Sequence, residues 1–439
     1  MRAFRMALVA SLLAAAPLVA QSPTLAPQGP LTLDDAMRWA WQHGVAASVA
    51  RLNTDVADAR VGQRRADLLP QVSGNVDYSR QTFNLDEFGI PIATGVTEPF
   101  DLYHFRLNGS QTLVNLAAMS RVQSASDSSV AARFDAQSVG SNAAAVAGVA
   151  YVRVLGIAET IRAREADSAI AADLLAQARQ LADAGVSAAI DVTRNEVNLA
   201  AVRTQLVVTR NQLARARLDL ARALTLPPET PLPLADSLGQ EDQALPTDQD
   251  SAVAFALDHR PEVLAEQRRT EAVRLSRRAA GQENLPSAGL AGQVQESGQQ
   301  TDALNGTWVV QVGVSIPIFD GLRRQKRRAE QSARYDAQKL REYDVTQQVD
   351  AEARQVVLDL TAAREELVVA QQRLRLADLE LKQADERVAA GVAGSVETTN
   401  AQRNLVGARD ALIQARVSLD IARVNSYRAL GIIVPANGL

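Results

Sequence analysis

Two stretches of this chain contain no proline: Phe100 to Leu226, and Ile318 to Val434. Proline inside a helix removes a backbone donor and clashes with the preceding turn, so such tracts are where long helices can run. Read that way, Asn115 to Ala184 and Asp320 to Ala390 each form ~70 residues of helix, about 100 Å long. Those lengths lie far outside the globular mean, so each helix needs a partner along its whole run. Beyond each tract's first helix, apolar positions recur at seven. Leu199, Leu206, Leu213 and Leu220 run beside Val202, Thr209, Ala216 and Ala223; Leu405, Leu412 and Leu419 run beside Ala408, Ala415, Ala422 and Ala429. A large seam beside a small one is coiled-coil packing, with alanines permitting close approach.

The chain is also internally duplicated. Asp34, Ala40, His43, Leu69 and Pro70 recur as Asp250, Ala256, His259, Leu285 and Pro286, an offset of 216. Ser110 to Asn115 lies against Ser315 to Asp320 at an offset of 205, and Ala184 to Leu226 against Ala390 to Ile432 at 206. In that last block 15 of 43 positions are identical, including Ala-Gly-Val at 184–186 and 390–392. The fall in offset puts eleven extra residues in the first copy, between Arg80 and Leu102. The expected organisation is a first repeat at 31–226, a linker at 227–250 with four prolines in its first seven positions, a second repeat at 251–432, and a tail at 433–439.

Arg2 and Arg5 precede the apolar run Met6 to Ala16, and small residues follow to Ala20. This is the pattern of a cleaved signal peptide over 1–21, so the protein is expected to be exported. Its removal takes the net charge from −4 to −6, which offers no electrostatic case for nucleic acid. No later segment has ~20 uninterrupted apolar residues, so no transmembrane helix is expected.

Four segments switch to a period of two: 72–80, 102–115, 288–298 and 307–319. Trp308, Val310, Val312, Val314 and Ile316 form one face, opposed mainly by Gln311, Gly313 and Ser315; Ala288 to Glu296 alternates most faintly. The lengths suit tilted strands crossing a bilayer, although a half-buried soluble sheet alternates in the same way. Four strands cannot close a barrel, and an open edge cannot lie in lipid, so a membrane reading requires several chains per barrel.

Helix, Leu-Pro, two strands, long helix, Ala-Gly-Val turn, helix and linker, then the same again, resembles the outer-membrane efflux proteins, the TolC-like channel-tunnels. The resemblance runs from roughly 31 to 432 and rests on Leu69-Pro70, Leu285-Pro286, Ser315 to Gly321 and the two Ala-Gly-Val turns. It implies a mainly α chain with a membrane β-barrel. A coiled-coil helical tunnel would join a twelve-stranded barrel built by a homotrimer in outer-membrane lipid. It also implies docking to a periplasmic adaptor and to an inner-membrane pump or ABC transporter.

By the same resemblance, Gly185, Val186, Gly391 and Val392 are tip turns that receive the adaptor; the two glycines equally fit left-handed helix ends. Glu397 matches a carboxylate ring at the pore constriction. Asn400 stands where members often carry a second acid, and Val388 where some place a gate tyrosine. Asp191 is either a pore partner or an acid suited to the start of a helix. Arg323 to Arg328 reads as a solvated face or a contact with lipid phosphates. His43, His104 and His259 are isolated, cysteine is absent, and no phosphate loop or zinc spacing occurs. No enzyme activity, metal or cofactor is expected. The competing reading is a soluble periplasmic coiled-coil scaffold without a pore.

Overall fold

The computed structural model describes residues 29–85, 95–185, 188–239, 245–246, 248–390 and 392–433. The expected signal peptide, Val186, Gly391 and the tail beyond Ile433 lie outside these residues. The elements are α1 (Leu33–His43), α2 (Val45–Ala66), β1 (Gln71–Gln81), β2 (Phe100–Val114), α3 (Leu116–Asp183) and α4 (Ala189–Ala223). The second half repeats them as α5 (Gln249–His259), α6 (Pro261–Gln282), β3 (Ser287–Gly298), β4 (Asn305–Ser315), α7 (Arg323–Ala389) and α8 (Ser395–Leu430).

Local chemistry sets the ends of the long helices. Asn115 caps α3 by accepting from the Ala118 amide, 2.9 Å away. In the second copy Asp320 accepts from the Arg324 amide, after a left-handed pair at Gly321 and Leu322. The far end of α3 stops at Gly185, whose φ of 70° is the left-handed conformation that glycine adopts without strain.

Sequence periodicity suggests one helix ahead of each Leu-Pro; the structure has two. Gly44 breaks the first (φ −56°, ψ 136°), where a Cβ would sit 2.4 Å from the Ala40 carbonyl. In the second copy Pro261 opens α6 at a position that needs no backbone donor. His43 and His259 end α1 and α5, stacked on Trp39 and Phe255 one turn earlier.

Two rods therefore organise the molecule. Helix α3 lies beside α2 and α6 in its half toward the sheet, and beside α4 and α8 in its other half; α7 lies beside α6 and α8. Helices α2 and α4 meet end to end along α3, where Gly44, Val45, Leu218 and Pro227 line a shared groove with Val139 and Val146. The short α1 and α5 pack on α3 and α7 at this waist. The interior is built from small side chains. A Cβ on Gly156 would meet Val417 Cγ2 at 2.4 Å, so α3 and α8 approach through a glycine. Helix α3 has no uninterrupted apolar run of ~20 residues, but it does have an 18-residue window of mean hydropathy 1.5, long and apolar enough to cross a membrane by length and composition alone. Half of that window is buried inside the chain, which accounts for its apolar character.

At one end the four strands form an antiparallel sheet in the order β1-β2-β3-β4. Strand β4 stops at Ser315 rather than reaching 319, because Pro317 has no amide to give a ladder. Strand β2 carries a bulge between Thr112 and Val114. Part of the linker is fixed: Leu31 bridges to Leu234, and Asp236 accepts from the Leu33 amide and the buried Tyr151 hydroxyl.

Candidate functional site

The strand register sorts every sheet residue onto one of two faces. Val72, Val76 and Tyr78 share a face with Tyr103, Phe105 and Leu107, then Leu290 and Val294, then Trp308, Val310, Val312 and Val314. The other face holds Asn75, Asp77, His104, Arg106, Asn108, Gln293, Gln295 and Gln311. Its polar groups satisfy one another across strands: Arg106 pairs with Asp77, Asn108 donates to Asn75 at 3.3 Å, and Gln295 meets His104 at 3.2 Å. One apolar face and one internally hydrogen-bonded polar face suit a wall between lipid and water. Every residue of β1 from Gln71 to Tyr78 is exposed, as is all of β4, so both outer strands offer unpaired edges.

The opposite end holds the helical turns. In the first, Gly185 has open space around its Cα, and α4 begins after an extended Ala188. Asp191 sits in the first turn of α4, 3.4 Å from Arg194. In the second, the Val392 amide donates to the Arg387 carbonyl, closing the end of α7. Val392 is exposed, Val388 half-buried, and Asn400 exposed. Glu397 does not stand alone: Arg387 reaches across the turn and places Nε 3.1 Å from its carboxylate. The structure thus ties Glu397 to the end of α7 and Asp191 to its own helix. Between the turns, Asn198 of α4 donates to Gln402 of α8 at 3.2 Å, joining the two halves.

Two buried charge networks escape a reading of the sequence alone. Asp167 of α3, 1% exposed, accepts from Arg409 of α8 at 2.6 Å and meets Arg164 at 3.4 Å, while Arg164 bonds Asp410 at 2.5 Å. Burial raises the Asp167 carboxyl above its ordinary range, outweighing the pull of Arg409 and Arg164. At the waist, buried Arg260 contacts Glu262 (3.4 Å) and Glu352 (2.7 Å), and Arg428 adds to Glu352 at 3.4 Å. Burial would raise both carboxyls; these arginines, with hydrogen bonds from Ser138 and Gln348, overcome it and hold both low. The only signal in the sequence is that Arg260 stands directly before a helix-opening proline.

The basic run divides by partner. Arg324 bonds Asp320 and the Pro317 carbonyl, and Arg327 bonds Glu283, which also holds Arg121. Lys326 and Arg328 are exposed, with no ion pair among the described residues. No cluster suited to a metal ion occurs among those residues.

Comparison with known proteins places these features in context. A family model described as "Outer membrane efflux protein" matches residues 46–225 and again 253–432, once in each half. The outer membrane efflux protein BepC of Brucella suis biovar 1 is 26% identical over 411 residues, covering 91% of this chain and 85% of that protein. The probable efflux pump outer membrane protein TtgC of Pseudomonas putida is 27% identical over 412 residues, covering 87% and 79%. Among solved structures, the Campylobacter jejuni CmeC outer membrane channel superposes with a TM-score of 0.80 at 16% identity, over 91% of this chain and 85% of that one. The outer membrane protein VceC of Vibrio cholerae superposes at 0.79 and 17% identity, over 91% and 96%. At such identities the structural likeness is one of fold.

Proposed function

The chain belongs to the outer membrane efflux protein family, and from that premise we propose that three copies form a passive exit duct across the outer membrane and periplasm. The observation that carries this is the four-stranded sheet: apolar on one face, polar on the other, open at both edges. Such a sheet is stable in lipid only when its edges are closed, and strands from further copies close them. The apolar face then meets lipid and the face of Asn75, Arg106 and Gln311 lines water. The ~100 Å helices continue that wall through the periplasm.

In this reading the chain supplies a path and does no chemistry; an inner-membrane pump or ABC transporter supplies the drive, through a periplasmic adaptor. The names of BepC and TtgC support efflux as the class of transport. The turns at Gly185-Val186 and Gly391-Val392 receive the adaptor. Glu397, Asn400 and Asp191 border the periplasmic mouth, where Arg387 offsets part of the Glu397 charge. A soluble scaffold would have no use for a sheet face made of Trp308, Val310, Val312 and Val314. Fractionation should recover the protein in the outer membrane, and the purified trimer should give stepwise conductance in a planar bilayer. Recovery in the soluble periplasm without conductance overturns the duct.

A further inference from the structure

A band of positive charge lies where the helices meet the sheet. Residues 60–67 at the end of α2, 116–125 at the start of α3, 274–283 at the end of α6 and 320–334 at the start of α7 carry thirteen arginine or lysine residues against four acids. The whole chain sums to −4, so the band is a local reversal of sign. Part of it holds the fold: Arg324 bonds Asp320, while Arg121 and Arg327 share Glu283.

Four members of the band, Arg64, Arg121, Arg327 and Arg334, border a single cleft of about 270 Å³. Its floor is made of short side chains, Ala125 of α3 and Ala279 of α6, with the Ser124 and Ser276 hydroxyls 2.8 Å apart. These leave the space that the long arginines surround. Glu283 is the one carboxylate in the lining, and two arginines already share it. Arg64 and Arg334 meet acids only outside the cleft, Asp67 at 3.8 Å and Glu330 at 2.6 Å, with every side chain more than half exposed. Exposed pairs of that kind hold weakly, so both guanidiniums are available to another anion.

The packing of the helices says which way the cleft faces. Helices α2, α3, α6 and α7 stand side by side in that order, and the cleft draws residues from all four. Only the concave side of such a wall brings its first and last members together. The short α1 stands on the other side. Its Met37 packs against Ala144 and Gly148, which lie about half a turn around α3 from the stripe of Ala125, Ser128 and Ala132. In the duct the concave side faces the passage.

We propose that this cleft is an anion-binding site on the wall of the passage, taking solutes that carry a phosphate or a similar compact oxyanion. The proposal deepens the duct reading and rests on it. Guanidinium forks match the oxygens of such a group and bond them two at a time. A recess lined by one sign of charge also focuses its field and raises the local concentration of the opposite ion. Three copies would set three such clefts at one level just below the sheet, a basic ring of the kind that favours anions in a pore. A phospholipid headgroup offers the same phosphate chemistry, but it would have to reach the concave side, away from the bilayer.

Pyrophosphate is a suitable probe, titrated calorimetrically into the full chain in detergent at fixed low ionic strength. Wild type should bind it saturably. The double variant Arg64→Gln, Arg334→Gln should bind about tenfold more weakly or worse. Arg278→Gln with Arg328→Gln removes equal charge from exposed positions of the band outside the cleft, and should bind close to wild type. Thermal unfolding should be unchanged in both. In a planar bilayer, pyrophosphate should reduce the unitary current of wild type and not that of the 64/334 variant. No saturable binding, or equal weakening in the two double variants, overturns the cleft as a site. Binding that phosphatidylglycerol micelles displace, with the current untouched by pyrophosphate, assigns it to lipid and overturns its place in the passage. A chain that conducts nothing removes the duct reading itself, while calorimetry, which needs no pore, still decides the cleft.

Discussion

Glu397 and Arg387 face each other across the second helical turn, both substantially exposed. Such a pair contributes about 0–1 kcal/mol to stability, so its importance is electrostatic. Glu397→Ala leaves Arg387 without its partner at the proposed periplasmic mouth. The reversal potential in a salt gradient should then shift toward anion preference while thermal stability holds; an unmoved potential takes Glu397 out of the pore. Asp167 is the opposite case. Removing it by Asp167→Ala strands the Arg409 guanidinium at the α3–α8 contact and leaves Arg164 only Asp410, at a cost of about 3–5 kcal/mol. Chemical denaturation would measure this, and a loss under about 1 kcal/mol would show the network to be ornamental. Neither pairing is legible in the sequence. Glu397 is visible as an acid at a helix start, but its partner lies across the turn, and Asp167 and Arg409 are 242 positions apart. Periodicity reports which face a residue occupies, not which charge meets it there.

Among the elements, α3 approaches α8 closely at Gly156. Gly156→Leu must displace Val417 or separate the helices, and should cost about 1–3 kcal/mol; Val417→Ala in the same chain should recover part of it. The waist predicts a pH dependence. Glu262 and Glu352 are held below their usual 4.5, so their stabilisation is present above that value and is lost as pH falls through their folded-state range. Asp167 runs the other way: its carboxyl is raised above 3.8, so acid relieves its burial. Stability measured from pH 6 to about 3 should therefore fall in wild type and fall less steeply in Arg260→Met, which begins lower. The long helices are readable because proline exclusion acts on whole tracts. Strand β3 is faint because Gly289, Ala291 and Gly292 carry little side chain to alternate. The break at Gly44 is hidden because one glycine does not disturb a helical period, and only the approach of the Ala40 carbonyl shows why it is there.

At the scale of the molecule, duplication is the most informative feature of the sequence, since it requires that the two halves share one order of elements. It does not show how the halves meet. That depends on β2 and β3 finding each other across a separation that no local signal spans. The same pairing explains why a lone chain is an incomplete object. Strands β1 and β4 each leave an edge open, so in the proposed trimer every copy depends on two neighbours rather than one. This closed dependence has a genetic consequence. A chain that still pairs through β1 but carries a blocked β4 edge would enter rings and spoil them. If such chains made up half the pool, roughly one ring in eight would be wholly sound, so a single damaged allele beside an intact one should act as a dominant inhibitor of export.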